Sequence, residues 1–301
     1  MQTFAEILSR ESHRYGEALW YYALSHRTEK VREVLNLLIS YSLIQSTVYP
    51  PEKELDEELR NLLHNRTGTL ERRAEQDLEA AQLLGRMLSG YATLRKFYEL
   101  RDESATDGAG MSGVKGMTAR KQAVVALVAV ISSSDDNIRG GLYDDSREAV
   151  VSEDFLLALL GEATVFVSQS PNLLTLDQID ILMKAIEDAE TVGSRVYAAC
   201  EEFFNLVVAS GQGMKGSTPA DLMKSTSSLS GGSYVLTGSM MLTSHLQKSI
   251  SGPTKVRRGW DWRKGFGKDT KSQEVLRLLR LGLAKDLASL WLEDADGVVV
   301  F

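Results

Sequence analysis

Few residues of this 301-residue chain have the types and spacing that catalysis or metal binding requires. Zinc sites in helical proteins usually contain histidines at i and i+4, or cysteines and histidines at short spacing. The four histidines here lie on or beside separate segments. The single cysteine, Cys200, has no histidine or lysine beside it and lies on the apolar face of a predicted helix, which is typical of a packed core thiol.

A glycine-lysine pair near the chain end resembles part of a phosphate-binding loop. That motif needs a glycine five residues before Gly267 and a serine or threonine directly after Lys268. Trp262 and Asp269 occupy those two positions, and no predicted strand precedes them. We therefore interpret this pair as a coincidence of a glycine-containing segment.

Two pairs of acidic residues lie in a predicted polar loop over 133–150: Asp135-Asp136 and Asp144-Asp145. Neither pair has the spacing of an EF-hand calcium loop, so we expect solvated carboxylates there. The sequence thus predicts no catalytic residue, no metal ligand and no cofactor. We predict that the chain is not an enzyme.

The most unusual stretch is 256–266, where aromatic and basic side chains alternate: Trp260, Trp262 and Phe266 with Arg257, Arg258, Arg263 and Lys264. Such a composition is typical of protein-binding hot spots and of platforms on which single-stranded nucleic acid stacks. The alternative is that both tryptophans pack against the helical body and anchor this end of the preceding insert. We favour the anchor and keep partner contact through Trp260 and Trp262 as a hypothesis.

The net charge of −7 is unevenly distributed, and the C-terminal segment of the chain is basic. Residues 255–301 contain ten basic and seven acidic side chains, and all ten basic ones fall within 255–285. An acidic chain with one basic segment is a poor candidate for a dedicated nucleic-acid-binding protein. The longest uninterrupted apolar run, 123–131, is shorter than the roughly 20 residues that span a bilayer, so we predict no transmembrane segment.

Apolar residues recur at helical spacing along most of the chain. The predicted helices lie at about 11–26, after Thr28, after Pro50-Pro51, at 69–102 with a break near 89, at 119–132, from Ser152 to Ser168, after Thr175, at 194–209, and after Thr270. We predict an all-α protein, an irregular α-helical stack, forming a single α-helical domain over 1–301. Residues 210–254 are roughly half Ser, Thr and Gly, and we expect a disordered insert there.

Three segments in succession carry a family resemblance: RESHRYGEALWYYALSHRTEKVREVLNLLISYSLIQ, LSGYATLRKFYELRDE and EVLRLLRLGLAKDLASLWLE. Their order and spacing resemble the C-terminal part of the eighty-five-kilodalton nucleoporin family of the Y-shaped nuclear pore coat. Segments matching the family's N-terminal strands, trunk and crown are not found, so the chain is expected to be a fragment of a longer protein. The insert and the Trp-Arg stretch suggest a filamentous-fungal version.

The resemblance implies a fold, a location and a partner. The fold is the tail module of the ancestral coatomer element, and the location is the nuclear pore complex of the nuclear envelope. The implied partner is the C-terminal helical domain of a neighbouring nucleoporin, at the hub of the Y complex. The implied role is a scaffold that supports nucleocytoplasmic transport of mRNA and protein, without catalytic residues, cofactor or small-molecule substrate.

The last predicted helix supplies four candidate partner-binding residues: Leu279, Leu283, Leu287 and Trp291. They form an apolar stripe at helical spacing, which in a stacked helix can equally be the buried face. Two other functions stay open for the whole chain. One is a helical scaffold subunit of a vesicle coat or of a lid-type assembly, and the other is a nucleic-acid-binding helical protein that uses 255–285.

Overall fold

The computed structural model describes residues 2–10, 12–106, 114–139, 150–211, 260–267 and 269–297. Within these ranges every regular element is a helix and no strand occurs. The α-helices of the described residues are α1 (Gln2–Arg10), α2 (Tyr15–Leu24), α3 (Thr28–Gln45), α4 (Glu57–His64), α5 (Arg66–Ala74), α6 (Leu78–Thr106), α7 (Val114–Ile138), α8 (Leu156–Ala163), α9 (Leu176–Thr191), α10 (Ser194–Gly211) and α11 (Ser272–Gly297). Short 3-10 turns lie at Glu52–Glu54, Glu153–Phe155 and Trp262–Gly265. The predicted all-α helical stack is confirmed.

The described residues form two compact units. Unit 1 contains residues up to 42 and 48–92, and unit 2 contains 43–47, 93–211 and the residues from 260 onwards. Helices α3 and α6 contribute residues to both units. The prediction of one domain over 1–301 stays a prediction, and the predicted insert at 210–254 lies outside the described residues except for its first two positions.

In unit 1, one aspartate determines where α4 begins. The Asp56 carboxylate accepts hydrogen bonds from the backbone N–H of Leu59 and of Gly16, each at 2.9 Å. The first bond caps α4, and the second joins α4 to the start of α2. A Cβ atom at Gly16 would lie 2.2 Å from the Leu59 nitrogen, so this contact requires glycine. Helix α4 therefore starts at Glu57 rather than directly after the prolines at 50 and 51.

The predicted break near 89 is wrong, because α6 runs without interruption from Leu78 to Thr106. The chain breaks earlier, at 75–77, where the Asp77 carboxylate accepts the Ala80 N–H at 2.9 Å. Gly85 is a weak helix former, but its missing side chain leaves room for Leu70, whose Cδ1 would lie 2.8 Å from an added Cβ. Packing thus outweighs intrinsic propensity in this helix.

Helix α7 is longer than its apolar run suggested. It extends from Val114 to Ile138, so residues 114–117 and 133–138 are helical and the Asp135-Asp136 pair lies on a helix instead of a loop. Ser134 is buried in the last turns and donates a hydrogen bond to the Ser152 carbonyl at 2.7 Å, which extends the packed face beyond the apolar run. Residues 140–149 of the predicted loop over 133–150 lie outside the described residues.

Two predicted helix starts in unit 2 differ in outcome. The Thr175–Gln178 capping box is confirmed: Thr175 N–H donates to Gln178 Oε1 at 3.0 Å, and the threonine hydroxyl accepts the Gln178 N–H at 3.4 Å. Ser152 instead caps the 3-10 turn Glu153–Phe155, and α8 follows it and ends at Ala163 rather than at Ser168.

Candidate protein-binding surface

The aromatic-basic stretch is seated in unit 2 by Trp262. Its ring is 3% exposed and lies 5.8 Å from the ring of Phe204 and 5.7 Å from that of Phe266, measured between centroids. Gly161 of α8 faces it, and a Cβ atom at that position would lie 2.5 Å from Trp262 Cζ2. The indole therefore fills a space that only a glycine leaves open.

Arg263 is buried beside it, with 1% of its surface exposed. Its Nε and Nη2 each donate to the Asp261 carboxylate at 2.8 Å, while Nη1 donates to the Ile44 carbonyl at 2.8 Å and to Ser210 Oγ at 3.0 Å. Ile44 and Ser210 belong to the last turns of α3 and α10, where helix carbonyls lack intrahelical partners. Burial raises the pKa of Asp261, but the hydrogen bonds and charge of Arg263 outweigh it and lower that pKa below its ordinary value.

A second buried cation continues this polar cluster. The Arg101 guanidinium donates to Ser46 Oγ at 2.6 Å and lies 4.0 Å from the buried Glu162 carboxylate. The Tyr98 hydroxyl donates to the other Glu162 oxygen at 2.9 Å. Burial raises the pKa of Glu162, while the charges of Arg101 and Arg263 act in the opposite direction. Buried charges are tolerated only when they are paired in this way, so the Trp262-Arg263 pair is an internal anchor.

Trp260 has a more open position. Its ring meets the edge of Phe166, with centroids 5.3 Å apart, and the Arg120 guanidinium lies 5.4 Å from the ring centroid. The residue is partly exposed. It therefore combines a contact inside unit 2 with a face that solvent reaches.

The terminal helix α11 is held on unit 2 through one face, formed by Val275, Leu276, Leu279, Gly282, Leu283 and Asp286. A Cβ atom at Gly282 would lie 2.4 Å from Cγ2 of Val167, so the helix backbone approaches that residue closely. A hydrogen bond also joins α11 to the segment after α8, because both carboxylate oxygens of the buried Asp286 accept the Ser168 N–H, at 2.9 and 3.0 Å.

The same helix exposes a second apolar surface, which we call the terminal apolar face. Its members are Leu278, Leu281, Ala284, Leu287, Ala288, Trp291 and Leu292. Trp291 is 69% exposed, Leu292 67% and Leu281 55%. Single exposed apolar residues are ordinary, whereas several of them on the solvent side of one helix, here interspersed with Arg277, Arg280 and Lys285, are typical of a protein-interaction site.

The structure divides the sequence-predicted residues into two groups. Leu279, Leu283 and Trp262 are buried and pack inside unit 2, whereas the other three reach solvent: Leu287 and Trp291 on the terminal apolar face, and the partly exposed Trp260 on the segment before α11. The predicted stripe does not contain three exposed leucines of the same helix: Leu278, Leu281 and Leu292. The sequence does indicate these leucines, because α11 carries more apolar residues than one buried face can hold.

The described residues contain no group of three or more metal-ligating side chains close enough to hold an ion. Burial raises the pKa of Cys200 to about 12, and its thiol donates to the Glu153 carbonyl at 3.2 Å. This thiol stays protonated at neutral pH and is a packed group, as the sequence suggested. None of the described helices has the length and apolar content needed to cross a membrane.

Comparison with known proteins gives one informative match. The chain is similar to Nucleoporin NUP85 of the filamentous fungus Chaetomium thermophilum. The two are 56% identical in an alignment 318 residues long, which covers 99% of this chain. The match lies in the C-terminal part of that nucleoporin, and the chain spans about a quarter (27%) of its length. No family model matches the chain, and no solved structure matches it.

Proposed function

Because the chain is homologous over nearly its whole length to the C-terminal part of a nucleoporin, we propose that it is a structural, non-catalytic module of the nuclear pore complex in the nuclear envelope. Its role there is to connect scaffold subunits and so to support transport between nucleus and cytoplasm. The helical architecture of the described residues and their lack of a metal-ligating cluster agree with a protein that acts by binding other proteins.

The finer proposal concerns the docking site. We propose that α11 docks onto the C-terminal helical domain of a neighbouring nucleoporin at the hub of the Y complex. The observation that supports it is the terminal apolar face, because a helix already packed through one face has no structural need for further leucines and a tryptophan on its solvent side. Tryptophan is among the residues that most often dominate binding energy at protein interfaces.

The six sequence-predicted residues take different parts in this proposal. Leu287 and Trp291 contact the partner directly. Leu279, Leu283 and Trp262 act from the core of unit 2, where they hold α11 and the segment before it in place. Trp260 is a peripheral contact, since the residue is only partly exposed.

A binding measurement tests the docking site. The chain and the neighbouring nucleoporin's C-terminal helical domain are titrated by calorimetry, and Trp291→Ala is expected to weaken binding at least tenfold, as for an interface anchor. Val125→Ala is the matched control, because Val125 is a 58% exposed apolar residue on α7, and it should leave the affinity unchanged. Absence of binding by the wild-type chain at micromolar concentration would refute the proposal.

Microscopy of a tagged chain tests the location separately. A nuclear pore module gives fluorescence at the nuclear rim, whereas a vesicle-coat scaffold gives cytoplasmic puncta. Cytoplasmic puncta without rim staining would contradict the pore assignment and favour the vesicle-coat alternative.

A further inference from the structure

The surroundings of α11 change after Asp286. Up to that residue one side of the helix is buried on unit 2, and Asp286 is its last buried position. Leu290, one turn further on, would continue this side but is partly exposed, and the other residues from Leu287 to Leu292 are exposed. We call Leu287–Leu292 the projecting end, because none of its side chains is buried on its own unit.

Apolar side chains surround much of the projecting end. At 100° per residue, the arc that runs from Leu290 through Leu287 and Trp291 to Leu292 covers about 200° of the helix circumference. The apolar stripe that a helix packs against one neighbouring layer is about 100° wide or slightly more. An arc of about 200° is therefore buried completely only between two walls, which is the geometry of a groove.

The sequence after the projecting end is acidic. Lys285 is the last basic residue of the chain, and Glu293, Asp294 and Asp296 follow within the bounds of α11. Negative charge at a helix C-terminus is unfavourable because of the helix dipole, and the last turn of α11 contains no basic residue that would offset it. Positive charge on a partner would offset it, whereas the same acidic end of a second copy would add repulsion.

We propose that the projecting end inserts into an apolar groove between helices of its partner, and that basic residues on the rim of this groove face the acidic last turns of α11. This inference rests on the proposed docking function and specifies the chemistry of the partner. Trp291 lies at the centre of the apolar arc and is the anchor of the contact. The groove supplies most of the affinity, and the basic rim orients the encounter.

The first test distinguishes a groove from a flat surface. Leu287 and Leu292 lie on opposite sides of Trp291, so a groove contacts both, whereas a flat surface that contacts Trp291 reaches only one of them fully. In titrations with the neighbouring nucleoporin's C-terminal helical domain, Leu287→Ala and Leu292→Ala should each weaken binding by about fivefold. Leu278→Ala is the matched control, because Leu278 is an exposed leucine of the same helix before the projecting end, and it should stay within about twofold of wild type.

The second test neutralises charge at the end of α11. Glu293→Gln/Asp294→Asn should weaken binding by about fivefold at low salt, and raising the salt should then change its affinity much less than that of wild type, because salt screens the charges that this variant lacks. Glu71→Gln/Glu75→Gln removes the same net charge at exposed positions of α5 and the residue after it, and should stay within about twofold of wild type. Thermal melting followed by circular dichroism checks that each variant folds.

Four outcomes would overturn the inference, each in a recognisable way. If Trp291→Ala weakens binding but Leu287→Ala or Leu292→Ala binds like wild type, the groove is wrong while the docking function stands. If the neutralised variant binds like wild type at low salt, the basic rim is wrong. If sedimentation velocity shows a wild-type dimer that Trp291→Ala abolishes, the occupant is a second copy of this chain. If wild type does not bind the domain at all, the docking function fails and the inference with it.

Discussion

Replacing Asp135 by asparagine should stabilise the protein at neutral pH. Asp135 lies in the last turn of α7 and is only 5% exposed. Its carboxylate is 3.2 Å from Nη2 of Arg139, and the same nitrogen also contacts the carboxylate of Asp188 on α9. One cation thus serves two carboxylates at a helix C-terminus, where the helix dipole also disfavours negative charge.

Burial, followed by the charge of Asp188, raises the pKa of Asp135 from its ordinary value of 3.8 to about 7, although Arg139 opposes the shift. The folded protein therefore keeps this proton up to about pH 7, whereas the unfolded chain releases it near pH 4. The free energy of unfolding falls over that interval and the loss is complete above it. At 1.36 kcal/mol per pH unit the limit is about 4 kcal/mol. Asparagine also loses the ion pair with Arg139, so we expect a net gain of about 1–3 kcal/mol at pH 8.

The assay is urea unfolding of wild type and Asp135→Asn, followed by circular dichroism from pH 4.5 to pH 8. The difference in free energy of unfolding should be small at pH 4.5 and should grow to its full value above pH 7. Asp180→Asn removes an exposed carboxylate from α9 and should change stability by less than about 0.5 kcal/mol. A variant that is less stable than wild type at pH 8, with a gap that does not depend on pH, would show that the ionised Asp135–Arg139 pair stabilises the fold and that the reasoning is wrong.

Two further predictions concern the anchoring of unit 2. In denaturant titrations, Gly282→Ala should lower the free energy of unfolding by about 1–3 kcal/mol, because its Cβ would lie 2.4 Å from Val167. Gly265→Ala is the control, since no atom lies within 4 Å of a Cβ at that position. Partial recovery of stability in Gly282→Ala/Val167→Ala would verify the cause. Arg263→Ala should lower the free energy of unfolding by about 3–5 kcal/mol in the same titrations, because it leaves buried carboxylates without their cation. Lys264→Ala, at an exposed position, should leave the free energy of unfolding nearly unchanged. Equal effects of the two alanine variants would contradict the internal role of Arg263.

Helical periodicity was sufficient to predict the fold class and most helices, but it failed where tertiary packing decides. The glycine and serine residues near 89 predicted a break, yet α6 is continuous because its buried face packs along the whole helix. The polar residues after 132 predicted a loop, yet α7 continues because the buried Ser134 donates a hydrogen bond to the Ser152 carbonyl. Both cases depend on contacts with residues that no local window contains.

The anchor shows the same limit for single side chains. The sequence favoured an anchor over partner contact for 256–266, but it could not distinguish the arginines of that stretch from one another. The acceptor at Ile44 is 219 residues from Arg263, and the one at Ser210 is 53 residues away. Only the folded chain brings these two helix ends to one guanidinium, which makes Arg263 an internal cation while the basic residues of α11 stay on the surface.

In the terminal helix, the predicted apolar stripe contains both buried and exposed residues. Leu279 and Leu283 belong to the face that α11 buries on its own unit. This buried face accounts for the apolar residues that recur at helical spacing in this segment. Leu281 and Leu292 are out of phase with it and therefore look like noise in a search for one stripe. A helix that must contact its own unit on one side and a second protein on another needs two apolar faces. The out-of-phase leucines, more than the stripe itself, are the sequence feature that favours the proposed docking through α11.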